Sequence, residues 1–167
     1  RRALAKGWRR FRGLNGYDDQ WKELKTYRFL EAKKNPKIWE HLPRYFGTVE
    51  TDQGLGIVTE IFRNHDGAYP GNLEQVLPNG LNQGISAAVE EFKTWLREVL
   101  FLSRDLLPHN IIAVEFAHGQ YRLVIVDGIG NSEFIPVSDW IQFLARQKIE
   151  RKIRKFDYRT SILLPKS

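Results

Sequence analysis

Three short polar side chains are spaced so that they could meet at one point. Asp105 and Asn110 stand five positions apart in Arg104-Asp105-Leu106-Leu107-Pro108-His109-Asn110, and Asp127 closes the run Leu123-Val124-Ile125-Val126. Such a set suits phosphoryl transfer. That reaction asks little covalent work of a protein and rests on positioning and on neutralising phosphate charge, commonly through Mg2+ held by oxygen ligands. A carboxylate at the start of the loop, Asp105, can orient an acceptor hydroxyl. An amide at its end, Asn110, can ligate one metal ion, and Asp127 can ligate a second. Leu106, Ile111 and Ile112 are apolar anchors able to pin the loop to a core. Each half of the pattern is ordinary on its own, since Asp and Asn beside a proline are common loop residues and a strand ending in Asp-Gly is commonly just a turn. The two halves in this order point to a nucleotide site.

Several elements must hold these residues in place. Ile85 through Leu102 is expected to be a helix that feeds the loop directly, with Ile85, Ala88, Val89, Phe92, Trp95, Leu96, Val99 and Leu100 on one stripe and Glu90, Glu91, Lys93, Arg97 and Glu98 opposite. Ile111–Phe116 and Tyr121–Val126 flank the turn Ala117-His118-Gly119-Gln120 as a hairpin, with His118 read as solvated. Upstream, Asp18-Asp19 opens a helix in which Trp21, Leu24, Tyr27 and Leu30 recur at helical spacing, and Asn35-Pro36 ends it. Glu23 shares the face of Tyr27 and Leu30, and a carboxylate there needs a partner because an unpaired buried charge is costly. Lys6, on the short apolar strand Ala3–Trp8, is one candidate; Lys22 or Lys25 beside it on the surface is the competing one. Lys6 itself also reads as a surface lysine on an edge strand.

Leu42–Glu50 and Leu55–Phe62 form a second hairpin about the turn Thr51-Asp52-Gln53-Gly54, followed by the polar connector Arg63-Asn64-His65-Asp66-Gly67. That connector is the best boundary, dividing a smaller unit, residues 1–66, from a larger one, residues 67–167. Tyr69–Gly84 is expected to be mostly loop, with one helical turn at Leu73–Leu77. Ser138-Asp139-Trp140 opens a last helix, Ile141–Phe156, whose outer face carries Arg146, Lys148, Arg151, Lys152, Arg154 and Lys155. We read that face as solvated; contact with a membrane surface or nucleic acid is the weaker reading, and it would show a steep salt dependence.

Composition sets the outer limits. The 167 residues suffice for one sizeable domain or two small lobes, and 42% hydrophobic with 13% aromatic residues argues for a folded chain. There is no cysteine, which excludes a disulfide framework and a thiolate metal site and fits the cytoplasm. No apolar run approaches the roughly 20 residues that span a bilayer. Arg1 in place of an initiating Met points to a fragment or a processed chain. The net charge of +6 favours anionic partners such as nucleotide phosphates.

The assembled pattern resembles the protein-kinase-like fold and, more narrowly, the bacterial PhoP regulatory network YrbL family. The residues that carry the resemblance are Trp21-Lys22-Glu23-Leu24-Lys25 with Tyr27 and Leu30; Leu42-Pro43-Arg44-Tyr45-Phe46-Gly47-Thr48-Val49-Glu50-Thr51-Asp52 with Gly54 and Gly56; Pro108-His109-Asn110-Ile111; and Asp127-Gly128-Ile129-Gly130 with Ile135-Pro136 and Trp140. The resemblance implies an α+β, two-lobe, kinase-like cytoplasmic protein regulated with the PhoP/PhoQ response. In it residues 1–66 form an incomplete small lobe, whose glycine-rich-loop strands are missing from this chain, and residues 67–167 a compact large lobe. It implies ATP and Mg2+ as cofactors, with Lys6 holding phosphates, Glu23 bracing Lys6, and backbone groups of Glu60 and Phe62 facing the adenine edge. It implies Asp105 as catalytic base, and Asn110 with Asp127 as magnesium ligands. The acceptor it implies is a small molecule, sugar or lipid headgroup ahead of a protein. The departures are Ser103 where kinases commonly carry His, Leu107 where they carry Lys, and Ile129 where an aromatic stands. They keep a second reading open, a catalytically inactive kinase-like regulatory or nucleotide-binding module.

Overall fold

A computed structural model of the chain describes residues 14–52, 54–102, 106–129, 133–134 and 139–165. Helix α1 (Leu14–Ala32) and a 3-10 turn (Pro36–Glu40) lead into the hairpin β1 (Tyr45–Thr51) and β2 (Gly54–Thr59). A short helix α2 (Leu73–Val76), a 3-10 turn (Leu77–Asn79) and helix α3 (Gln83–Val99) follow, then strand β3 (Phe101–Leu102). A third 3-10 turn (Pro108–Asn110) opens the hairpin β4 (Ile111–Ala117) and β5 (Gln120–Ile125); strand β6 (Glu133–Phe134) and helix α4 (Asp139–Leu163) complete the order. The fold is α+β. Among the described residues its sheets are three antiparallel pairs, β1 with β2, β4 with β5, and β3 with β6.

Local chemistry explains most boundaries, including those the sequence reading misplaced. Helix α1 begins at Leu14 rather than at Asp18, running through Gly16, whose helix penalty of ~1 kcal/mol lowers stability without forbidding the turn. It stops before Lys34, at φ 50°, and the Asn35 side chain accepts a hydrogen bond from Lys37 N–H at 3.1 Å to cap the next turn. Helix α3 starts at Gln83 because Asn82 Oδ1 accepts from Ile85 N–H at 2.8 Å. It ends at Val99, and Leu100 takes the left-handed conformation, φ 52° and ψ 43°. Phe101 and Leu102 therefore pair as a strand with Phe134 and Glu133 instead of extending the helix into the loop, as apolar spacing alone had implied. Strand β2 ends at Thr59, short of Phe62. The last helix runs past Phe156 to Leu163; Pro165 is the next residue able to stop it.

One core unites the chain across residue 66. Tyr27, Leu30, Ile38 and Leu42 join Phe92, Trp95 and Leu96 of α3, Ile111, Leu123 and Ile125 of the second hairpin, and Ile149, Ile153 and Phe156 of α4. Tyr27 stacks on Tyr45 (centroids 5.4 Å apart) and on Trp39 (6.4 Å). Both outer edges of β4–β5 receive upstream backbone: Ala113 N–H donates to Gly71 O at 2.9 Å on one side, and Ile125 N–H donates to His41 O at 3.0 Å on the other. Gly84, in the first turn of α3, lies against the turn of this hairpin, where a Cβ would overlap the Gly119 carbonyl oxygen and stand 3.0 Å from Tyr121 Cδ2. Among the described residues no helix is long and apolar enough to cross a membrane.

Candidate functional site

The 3-10 turn at Pro108–Asn110 and the end of β5 lie side by side. Pro108 presets the turn; Asn110 N–H donates to Leu107 O at 2.9 Å, and Asn110 O accepts from Val126 N–H at 2.9 Å. The Asn110 side chain turns toward the Asp127-Gly128 corner: a Cβ built on Gly128 would stand 3.5 Å from Asn110 Nδ2. Gly128 has φ 79°, a conformation that glycine adopts without strain, and its N–H donates to Asp127 Oδ1 at 2.6 Å. Ile129 is fully buried and anchors the segment beyond this corner. The structure therefore brings Asn110 and Asp127 into one neighbourhood.

Helix α1 reaches the same place. Glu23 is half-buried on the face of Leu24, Tyr27 and Leu30, and its carboxyl is pushed above the usual range, first by burial and then by the negative charge of Asp127. The Tyr27 phenol is pushed up by its own burial and by Glu23. A carboxyl from a helix is thus close enough to Asp127 to feel its charge, and a carboxamide from a tight turn lies beside the glycine that follows Asp127. Among the described residues no basic side chain is in ion-pair contact with Glu23. The local field is one that a cation would relieve, and oxygen donors of this kind suit a hard cation such as Mg2+ better than a soft one.

Lys6 and Asp105 lie outside the described residues. Glu60 sits just past β2, and its N–H donates to Arg44 O at 2.9 Å while its Oε2 accepts from Arg44 N–H at 3.3 Å. A nucleotide contact from the Glu60 backbone would therefore fall to its carbonyl. Phe62 is half-buried in the irregular segment that follows.

Two features carried no signal in the sequence reading. His41 is 1% exposed, its Nδ1 lies 2.6 Å from Leu123 O, and its ring meets Trp95 and Phe92 at 5.0 and 5.4 Å between centroids. Its pKa is pushed down chiefly by burial. The second feature is the meeting of His65, in the connector after β2, with Glu115 and His118 at the end of the second hairpin. His118 is exposed, as expected of a turn residue, but it stands beside two other side chains of a type able to ligate a metal. A histidine following Asn64 in a polar connector was the only hint, and the sequence holds nothing that pairs it with position 115.

Residues 6–161 match a family model described as PhoP regulatory network protein YrbL. The "Uncharacterized protein YrbL" of Escherichia coli (strain K12) is 30% identical over 149 residues, which cover 87% of this chain and 70% of that relative. The protein of the same description from Shigella flexneri is similar to the same extent.

Proposed function

The chain belongs to the PhoP regulatory network protein YrbL family, and from that footing we propose that it binds ATP with Mg2+ in a kinase-like cleft and acts as a phosphotransferase on a small-molecule, sugar or lipid-headgroup acceptor. The observation that carries this reading is the convergence of Glu23, Asn110 and Asp127. Element order supports it too. A helix bearing a core-side carboxylate, a hairpin, a connector, a long helix, a tight loop ending in Asn and a hairpin ending in Asp-Gly is the succession that a kinase-like nucleotide site requires.

Within this reading, Asn110 and Asp127 hold the metal ion, whose charge would offset that of the phosphates. Glu23 feels the charge of Asp127, and in this reading it would brace Lys6, which would carry phosphate charge. Asp105 orients the acceptor hydroxyl and takes its proton. The turn at Pro108–Asn110 accepts from Val126 N–H, the residue after β5, which holds the backbone of Asn110 beside the segment leading to Asp127.

A second reading, a nucleotide-binding regulatory module without turnover, is favoured by Leu107 and Ile129. Leu107 puts no cation in the loop to stabilise a transferring phosphoryl group, and Ile129 is spent on the core. Calorimetry separates these. ATP is expected to bind in the presence of Mg2+, with Asp127→Asn removing the metal dependence and Asn110→Ala weakening binding. No heat at about 1 mM nucleotide would end both readings. Transfer from ATP across a metabolite panel that disappears in Asp105→Ala supports the enzyme; binding without any such transfer supports the regulatory module.

A further inference from the structure

The connector after β2 and the tip of the second hairpin meet through three side chains with metal-ligand chemistry. His65, Glu115 and His118 each offer one donor atom, and these atoms all lie within 4.8 Å of one another. His65 Nε2 is 3.9 Å from Glu115 Oε2, and the two imidazoles stand at 88° with centroids 6.3 Å apart. Ligands about 2.0–2.1 Å from a tetrahedral ion are roughly 3.3 Å from one another, so small side-chain rotations would close the set around an ion.

The backbone beneath the cluster is already fixed. His65 N–H donates to Glu115 O at 2.7 Å, and Glu115 N–H donates to Asn64 Oδ1 at 3.0 Å, stapling connector to strand. Asn64 N–H in turn donates to Ala68 O at 2.9 Å, closing the connector on itself. Gly119 N–H donates to Glu115 Oε1 at 2.8 Å. That bond orients the carboxylate and leaves Oε2, the oxygen facing His65, for an ion. Support of a ligating carboxylate by a hydrogen bond of this kind is what metal sites use to hold a ligand in place.

We propose that His65, Glu115 and His118 form a binding site for a divalent transition-metal ion of the zinc type. Two imidazole nitrogens and one carboxylate oxygen select such an ion over Mg2+ or Ca2+, which take oxygen ligands. Three protein donors leave a fourth position open. Glu115 and His118 line a cleft of about 710 Å³ between the start of α3 and the hairpin, so water or an external ligand has access to it. Bound there, the ion ties the segment after β2 to the turn of β4–β5. This site is composed of residues separate from Glu23, Asn110 and Asp127, and it takes no part in the nucleotide reading.

The test is titration of the untagged chain with Zn2+ alone, at a pH of about 7.5, without nucleotide. One equivalent should bind. His65→Gln and His118→Gln should each weaken it by roughly 10-fold or more, whereas Asp127→Asn should not. His109→Gln is the histidine control, since His109 Nδ1 pairs with Glu74 Oε1 at 3.2 Å on the exposed surface away from this cluster. Co2+ provides a second readout, giving visible absorption bands that Zn2+ abolishes. His65→Gln and His118→Gln are at exposed positions and should leave the circular dichroism spectrum unchanged. No binding up to about 1 mM Zn2+, or affinity lost in His109→Gln or Asp127→Asn but kept in His65→Gln and His118→Gln, would overturn the assignment.

Discussion

Replacing His41 by Phe isolates one buried hydrogen bond and one buried titration. The imidazole is 1% exposed, and Nδ1–H donates to Leu123 O at 2.6 Å. Phenylalanine keeps the ring against Trp95 and Phe92 but leaves the Leu123 carbonyl without this donor, which costs ~1–3 kcal/mol. For a chain of this length ~2 kcal/mol corresponds to a fall in Tm of roughly 4–8 °C. The pH dependence is the sharper readout. Burial holds the folded-state pKa of His41 below its ordinary value of 6.5, so the unfolded chain takes up the proton first as pH falls. The His41 contribution is therefore complete above pH 6.5 and declines below it, by up to ~1.4 kcal/mol per pH unit, until the folded pKa is passed. His41→Phe lacks this loss. Urea denaturation followed by tryptophan fluorescence should show the variant less stable at pH ~7.5, with the gap to the native chain narrowing by pH ~5.5. A gap that stays constant between those pH values would refute the reasoning, because other titrating groups are common to both proteins.

Gly84→Ala should destabilise the chain by ~1–3 kcal/mol despite the ~1 kcal/mol that alanine gains over glycine in a helix, because its Cβ would run into the Gly119 carbonyl; a raised denaturation midpoint would show that α3 and the hairpin turn can separate freely. Glu23→Gln removes a carboxyl whose charged form is disfavoured by burial and by Asp127. Because the folded pKa of Glu23 lies above 4.5, its stabilising contribution is fully present below pH 4.5 and is lost as pH rises through the raised value. Denaturation at pH ~7.5 should therefore find the glutamine variant more stable than the native chain, and the advantage should vanish as pH falls toward 4.5; an unchanged midpoint at both ends would mean that Glu23 is well solvated.

The parts of the fold that the sequence disclosed are those with strong local signals. The stripe from Ile85 to Leu96 is the buried face of α3, and both hairpins turn at Thr51–Gly54 and Ala117–Gln120, where glycine and polar residues interrupt alternating strands. Ends governed by a single cap or dihedral were less legible. Leu100 could not be seen as left-handed, because an apolar residue in that conformation is set by the pairing of Phe101 with Phe134, a contact distant in sequence. Tertiary neighbours were legible only where spacing supplied them. Glu23 was expected to face inward, and it does, but its closeness to Asp127 depends on how α1 docks beside the second hairpin. The His65, Glu115 and His118 cluster depends on the connector folding back along β4, which no periodicity encodes.

A two-stranded ribbon ordinarily carries two rows of idle backbone groups, each an invitation to a strand from another copy of the chain. Here Gly71 and His41 occupy those rows at Ala113 and Ile125, one from either flank. At these two positions the ribbon is met by residues that precede it in the chain. Synthesis from the amino terminus delivers both of these residues before the ribbon, so they are on hand when its edges form.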